Sequence, residues 1–400
     1  MPNAHQEHSQ ASDLLPSLVE SVRRHLHMRV GFLSEFKDGR RIFRHVASDA
    51  DDAPVGPGDS DPLELTYCQR VVEKRIPAII HNAQECEGVQ DLDATHQLKL
   101  GAHISAPIRL SDGTLYGTLC CYSATPDENL GERDLAFLSA IAEIAASLLE
   151  EHHRLENNHQ RLRRGIQSVM ADDALMPVWQ PITDVARGRI VTVESLSRFL
   201  VEPKRPPNEW FDEAATVDLG TELEHHALCK GLEILPSLPA HMRVSVNASA
   251  KAILDPQLLA FLRQQDLNRV VLEVTEHDIV NDYAELADTL RELRSRGLQL
   301  AVDDFGAGYS SLRHILWLDP EIIKLDLSLV RDIDQSPNAR HLARAMVTFA
   351  ADCGAKLVAE GVETQAELDT LQAMGIYRIQ GYLLHKPMPR HELFQLLTPH

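Results

Sequence analysis

Eight short apolar runs between Met176 and Met388 each end in a polar residue: Gln180, Glu194, Asn247, Glu273, Asp303, Lys324, Glu360 and Gln380. If those runs are the strands of a strand-helix barrel, their ends converge on one face, where barrel active sites lie. That face would gather carboxylates, amides and a single lysine, with Asp304 beside Asp303 and Glu363 one turn beyond Glu360. Carboxylates packed together raise one another's pKa, and desolvation adds to the cost. Divalent cations reverse that balance. A donor set of carboxylates plus the amide of Asn247 suits hard ions such as magnesium or manganese better than zinc. The adjacent Asp303 and Asp304 are placed to bridge two ions. Two metals roughly 3.5–4 Å apart are a common device for hydrolysing phosphodiesters. Lys324 could then orient or deprotonate the attacking water, or stabilise charge on the phosphate.

The elements that would position these residues follow from pattern. Stretches of helical character, such as 222–235, 282–296, 339–353 and 365–374, separate the apolar runs, as a barrel requires. One connection is different. Only seven residues lie between Ile182 and Ile190, too few for the crossover that parallel strands need. The first strand is therefore expected to run antiparallel to the second, giving a modified (β/α)8 barrel.

Upstream, residues 14–27 read as helical, and Met28–Phe36 alternates like a strand that returns through Arg41–Val46 after a Lys37–Arg40 turn. A second hairpin runs from Ala106 to Leu110 and from Thr114 to Tyr122, indicating a small α+β domain. Residues 132–170 then form one long helical pattern. Ile141, Leu148, Leu155, Leu162 and Val169 sit seven apart, with Leu138, Ala145, His152, His159 and Ile166 as a companion row. This spacing predicts a parallel coiled coil and a homodimer, with a middle weakened by His152 and His159. The competing reading is a helix packed on its own domain up to Leu149, followed by an ordinary linker.

Composition narrows the function classes. The formal net charge is −20 over 400 residues, and basic residues cluster only at Arg161, Arg163 and Arg164, so DNA is not an expected partner. No apolar stretch reaches bilayer length and residues 1–16 lack a signal-peptide core, which predicts a cytoplasmic protein with no membrane partner. The six cysteines form no C-x-x-C pair and fit free thiols in a reducing compartment.

The ordered stretches Glu194-Ser195-Leu196-x-Arg198, Val246-Asn247-x-Ser249, Glu273-Val274-Thr275-Glu276, Asp303-Asp304-Phe305-Gly306-Ala307-Gly308-Tyr309-Ser310-Ser311-Leu312, Lys324-Leu325-Asp326, Ala359-Glu360-Gly361-Val362-Glu363-Thr364 and Gln380-Gly381-Tyr382 resemble the EAL-domain family. Members of that family are bacterial phosphodiesterases that linearise cyclic di-GMP to pGpG, and the resemblance covers residues 171–398. It implies that Glu194, Asn247, Glu273, Asp303 and Glu360 are metal ligands, that Asp304 and Asp326 serve the second of two Mg2+ or Mn2+ ions, and that Lys324 acts at the nucleophilic water. Glu363 and Gln380 would complete the pocket. Gln180, Leu196 and Arg198 would contact the dinucleotide, and Glu276 would anchor the Asp303–Leu312 loop. The departures from the family pattern, Ser195 for alanine among them, remove no ligand. No Gly-Gly-Asp/Glu-Glu-Phe stretch is present, so the chain is expected to remove the messenger and not to make it. A receptor that binds cyclic di-GMP without cleaving it is the principal alternative. An adaptor acting through its N-terminal half is a third reading.

Residues 12–150 resemble a GAF domain, on the stretches Met28–Phe36, Leu65–Arg70, Gly101–Leu110 and Leu115–Tyr122. The resemblance implies a regulatory sensor that acts by favouring one of two states of the enzyme. Its ligand is left open between a small molecule and none. His103 as a haem ligand, Cys120-Cys121 as a thiol sensor and Cys68 as a bilin attachment point each compete with ordinary core packing.

Overall fold

The computed structural model describes residues 4–49, 54–274, 283–305 and 315–398. Two compact units divide between His159 and Gln160.

In the first unit, helix α1 (Ala4–His25) precedes strands β1 (Val30–Lys37), β2 (Arg40–Ser48) and β3 (Ser60–Pro62), helix α2 (Tyr67–Val72), β4 (Ile79–Ile80), helix α3 (Asp93–Gln97), β5 (His103–Arg109) and β6 (Leu115–Tyr122). The strands form one antiparallel sheet ordered β3-β2-β1-β6-β5-β4. The tight β1–β2 connection uses Asp38-Gly39, both with left-handed backbone (φ 50° and 72°), as two-residue hairpins prefer. Strand alternation sends neighbouring residues to opposite faces. Leu33, Ile104, Ile108, Leu119 and Cys121 pack with Leu15, Val19 and Val22 of α1 and with Leu138, Ala145 and Leu149. Phe32, Cys120 and Tyr122 face the other way, against Phe43, Tyr67, Cys68 and Leu92. This is the α+β domain expected from the two hairpins.

Helix α4 (Glu132–Ala171) supplies its first part to that unit and residues 160–171 to the second. The heptad rows are only partly covered. Leu138 and Ala145 are buried on the sheet, while Ile166 and Val169 pack with Leu175, Trp210 and Leu223. Between them Leu155 and His159 are half-buried.

The second unit is a closed barrel ordered β10-β11-β12-β13-β14-β7-β8-β9. Its strands are β7 (Leu175–Asp184), β8 (Arg189–Phe199), β9 (Arg243–Asn247), β10 (Val270–Val274), β11 (Gln299–Phe305), β12 (Ile322–Leu325), β13 (Lys356–Ala359) and β14 (Arg378–Ile379). As the short connection predicts, β7 is antiparallel to β8, and it is antiparallel to β14 as well, whereas the remaining pairs are parallel. Helices Gly220–Leu232, Tyr283–Ser295, Pro337–Cys353 and Gln365–Ala373 fill connections between strands. Among the described residues no helix is long and apolar enough to cross a membrane.

Candidate active site

Strand register brings the polar ends together. Gln180 lies opposite Glu194 across β7–β8, Glu194 opposite Ser245, and Glu273 opposite Asn247. Lys324, 1% exposed, stands at the centre. Its Nζ contacts Glu360 Oε1 at 2.6 Å, Glu273 Oε2 at 2.8 Å, Asp303 Oδ1 at 3.1 Å and Glu194 Oε2 at 3.3 Å. Gln380 Nε2 donates to Glu194 Oε2 at 2.6 Å and to Gln180 Oε1 at 3.1 Å. Gln180 Nε2 is in turn held by the His385 carbonyl at 3.1 Å. Asn247 Nδ2 reaches Glu194 Oε1 at 3.5 Å.

One ammonium faces four carboxylates, and the pKa values record the excess. Burial and the charge of Glu194 push Glu273 up to about 8. Burial likewise raises Glu360, with Asp303 and Glu194 adding to the effect. Burial also opposes the charge on Glu194, but Lys324 and the Gln380 amide outweigh it and lower its pKa. Burial works against the Lys324 ammonium too, yet the surrounding carboxylates hold its pKa well above the ordinary value. The cluster thus has a surplus of negative charge that protons or cations must meet.

Two overlapping triads could hold those cations. Oxygens of Glu194, Glu273 and Asp303 lie within 4.8 Å of one another, as do those of Asp303, Asp304 and Glu360. Asp303 is common to both. Adjacent residues of a regular strand face opposite sides, so Asp304 reaches this pole only because the strand breaks. Pairing of β11 with β12 shifts between Val302 and Phe305, and Asp304 takes a left-handed backbone, φ 56°. Aspartate tolerates that region better than most residues. The donors are all hard oxygens, and buried Gln380 Oε1 has no protein partner among the described residues. This set fits magnesium or manganese.

Beside the triads opens a cleft of about 900 Å³, lined by Leu196, Arg198, Phe211, Glu224, Asn247 and Asp304 among others. Arg198 is exposed there, with Nη1 donating to the Ser197 carbonyl at 2.8 Å. Leu196 and Arg198, singled out from sequence, therefore share this cleft with Asn247 and Asp304.

Other expected residues are placed differently. Asp326 enters neither triad: it caps helix Leu327–Val330, its Oδ1 accepting from Ser328 N at 2.9 Å. Glu363 is exposed just before helix Gln365–Ala373. Glu276 and positions 306–312 of the loop lie outside the described residues.

The sequence reading passed over three supporting residues. Ser245 Oγ donates to Glu273 Oε1 at 2.5 Å. Its place two residues before Asn247, on the same strand face, was the available signal. Glu367 accepts from the Glu363 and Thr364 amides at 2.9 Å and from Asp332 N at 3.0 Å, fixing the turn after Glu360. The Thr364-x-x-Glu367 capping box announced it. Glu224 accepts from Ser249 N at 2.7 Å and Oγ at 3.0 Å, and no local pattern marked it. In that same turn Gly361 has φ 65°, and a Cβ there would meet Leu327 Cδ1 at 2.3 Å. Backbone geometry and space both demand glycine after Glu360.

Ser195, the departure beside Glu194, lies where a Cβ on Gly231 would meet its Oγ. Ser195→Ala removes one hydroxyl from that packing and touches neither triad. Ser195 also lines the cleft, but the change is one hydroxyl and leaves every carboxylate in place, so kcat/KM is expected to stay within about threefold of the parent.

A modified barrel with a carboxylate pole around a lysine and a neighbouring cleft defines a class of strand-helix proteins whose pole could hold divalent cations. The comparisons narrow it. The EAL domain model matches residues 159–387, and the chain belongs to that family. A GAF domain model matches residues 8–150, so the two domains follow in the expected order. Over 242 residues the chain is 32% identical to a cyclic di-GMP phosphodiesterase of Pseudomonas aeruginosa, covering 57% of this chain and 40% of that protein. It is 30% identical over 282 residues to the probable cyclic di-GMP phosphodiesterase PdeG of Escherichia coli, covering 66% and 54%. Among solved structures, PaMucR phosphodiesterase in complex with c-di-GMP matches with TM-score 0.51 and 27% identity, covering 58% of this chain and 99% of that one. The chain spans about half or less of the length of the curated relatives it matches.

Proposed function

We propose that this protein is a divalent-cation-dependent phosphodiesterase that opens cyclic di-GMP to linear pGpG. The observation that carries the reading is the pair of carboxylate triads sharing Asp303 and meeting Lys324, open to the Arg198 cleft. Glu194, Glu273 and Asp303 would hold one Mg2+ or Mn2+ ion, and Asp303, Asp304 and Glu360 a second, with Asn247 at the rim. Ions so held supply Lewis acidity toward a phosphodiester. The chain's own groups do the rest. Arg198 offers a planar donor fork to phosphate oxygens, and Leu196 an apolar surface to the substrate. Gln380, clamped by Gln180, fixes the Glu194 carboxylate. Lys324 keeps its proton at Nζ and sets a permanent positive charge beside the reacting phosphate. Hydrolysis places the water oxygen on phosphorus and one water proton on the departing ribose oxygen. Asp326 and Glu363 stand outside both triads.

In this reading the GAF domain regulates the barrel through a small molecule or other signal. A homodimer through α4 belongs to the same reading, supported by half-buried Leu155 midway along its heptad row. The deciding assay incubates purified protein with cyclic di-GMP and Mg2+ or Mn2+, with EDTA in parallel. Product pGpG is expected with metal, and a loss of more than about a hundredfold with chelator, the scale of losing metal support. Tight binding without product, in the full chain and in the isolated barrel alike, would make the protein a receptor.

A further inference from the structure

The first unit holds a second reactive cluster that the barrel chemistry does not use. Cys68 on α2 and Cys120 on β6 are 52 residues apart in sequence, yet their Sγ atoms lie 3.5 Å apart and both are fully buried. Cys120 Sγ also meets Ser105 Oγ at 3.0 Å and Thr118 Oγ1 at 3.2 Å. Arg41 Nη1 donates to Cys68 Sγ at 3.3 Å. The guanidinium is fixed there from three sides. Its Cζ lies 4.4 Å from the Phe43 ring centroid and 5.4 Å from that of Phe32, and its other terminal nitrogen pairs with Asp61.

Two buried cysteines in contact are by themselves ordinary core packing. The guanidinium changes that reading. Asp61 meets the charge on one side of the buried guanidinium, and a thiolate at Cys68 would meet the nitrogen on the other side. The two sulfurs are also unequal. Burial disfavours a thiolate at Cys68, but the Cys120 S–H and Arg41 outweigh it and lower its pKa. Burial and the neighbouring Cys68 push Cys120 up. Cys121, next in sequence, faces the opposite side of the sheet, and burial pushes it up to about 12. Around the pair, Arg41 Nε, His103 Nδ1 and Tyr122 Oη are buried without a hydrogen-bond partner among the described residues. Buried polar atoms left in this way call for an explanation, and polar partners beside the two sulfurs are one. Asp61, at the far side of Arg41, is 45% exposed, so Cys68 lies one residue beneath the surface.

We propose that Cys68 and Cys120 form a dithiol that hydroperoxides oxidise to a disulfide joining α2 to β6. The Cys68 thiolate attacks one peroxide oxygen. The O–O bond breaks, and the other oxygen leaves with a proton as water or alcohol, giving a sulfenic acid at Cys68. Cys120 sulfur then attacks Cys68 sulfur. The S–S bond forms, the S–O bond breaks, and hydroxide takes the Cys120 proton to leave as water. In total, two thiols lose two electrons and two protons, and the peroxide gains them. The sulfurs need to close by about 1.5 Å to reach disulfide bond length. Cys68 is the attacking thiol and Cys120 the resolving one. In a cytosolic setting, cross-links of this type are transient and redox-sensing.

The test treats the full-length reduced protein with hydrogen peroxide and measures intact mass and a non-reducing peptide map. A mass loss of about 2 Da per chain is expected, with one cross-linked peptide pair containing Cys68 and Cys120, reversed by dithiothreitol. Cys121→Ser is expected to keep the cross-link, and Cys120→Ser to lose it. Arg41→Met is expected to slow its formation at pH 7 about tenfold or more, with the gap narrowing at higher pH as thiolate forms unaided. Thiols left intact at Cys68 and Cys120 while Cys86 or Cys353 oxidise would overturn the proposal. So would a cross-link through Cys121. An Arg41→Met protein that cross-links as fast as the parent at pH 7 would remove arginine activation, and with it the assignment of Cys68 as attacking thiol. Because the wild-type map alone decides whether the pair closes, poor folding of a cysteine variant leaves the test intact.

Discussion

Glu194→Ala is expected to lower the turnover of cyclic di-GMP by more than about a hundredfold, beyond what loss of an outer-shell partner usually costs a metal site. Glu194 is 4% exposed and sits where three requirements meet. It supplies oxygens to the triad with Glu273 and Asp303. It accepts the Gln380 amide at 2.6 Å, which orders the Gln180–Gln380 pair. It also accepts from Asn247 Nδ2, at 3.5 Å. Alanine removes the donor and releases both amides. The fold is expected to persist, because Lys324 keeps three carboxylate partners and the β8 backbone ladder does not involve the side chain. Steady-state kinetics with saturating Mn2+, beside a thermal melt, separates the two effects. A variant that melts like the parent and retains near-normal kcat would refute a ligand role for Glu194.

Much of this site was legible because the barrel imposes it. A run of inward-packed strand residues ends where the sheet ends, so the terminal polar residue points at the pole whatever the intervening helix. Glu194, Glu273, Asp303 and Lys324 were readable on that ground, as was the antiparallel β7 from its seven-residue connection. What sequence cannot carry is a local break in the strand. A two-residue period sends Asp303 and Asp304 to opposite faces, and only the register shift and left-handed backbone bring both into one triad. Asp326 illustrates the converse. Aspartate immediately before a short apolar helix is as good an N-cap as a ligand, and in the structure its carboxylate caps Ser328.

The N-terminal unit repeats the lesson on a smaller scale. Cys120 and Cys121 invite a reading as a vicinal pair, but strand alternation separates them onto the two faces of the sheet. The partner of Cys120 comes from α2, at a separation no local pattern reveals. Helix α4 was readable as a helix from its spacing, yet heptad spacing does not say what covers it. Leu138 and Ala145 are covered by their own domain's sheet, and Ile166 and Val169 by elements of the second unit.

The same balance of charge at the pole makes Lys324→Met the other large effect. Lys324 is the cation that all four carboxylates contact. Methionine keeps most of the volume and removes the charge. Breaking a buried ion pair from one side costs about 3–5 kcal/mol, because the remaining charges are left without a counterion. For a unit of this size each kcal/mol moves Tm by about 2–4 °C, so in EDTA the variant is expected to melt roughly 6–20 °C lower. Turnover is expected to fall by more than about a hundredfold, as when a charge-stabilising donor is lost from an active site. Mn2+ is expected to raise the Tm of the variant more than that of the parent. Ligand binding stabilises by an amount that grows with affinity, and a pole without its ammonium attracts cations more strongly. Equal Mn2+ shifts in the two proteins would mean that the carboxylates near Lys324 are not the binding site. A variant as stable as the parent in EDTA would mean that protons, taken up by groups such as Glu273 and Glu360, already neutralise the pole without the lysine.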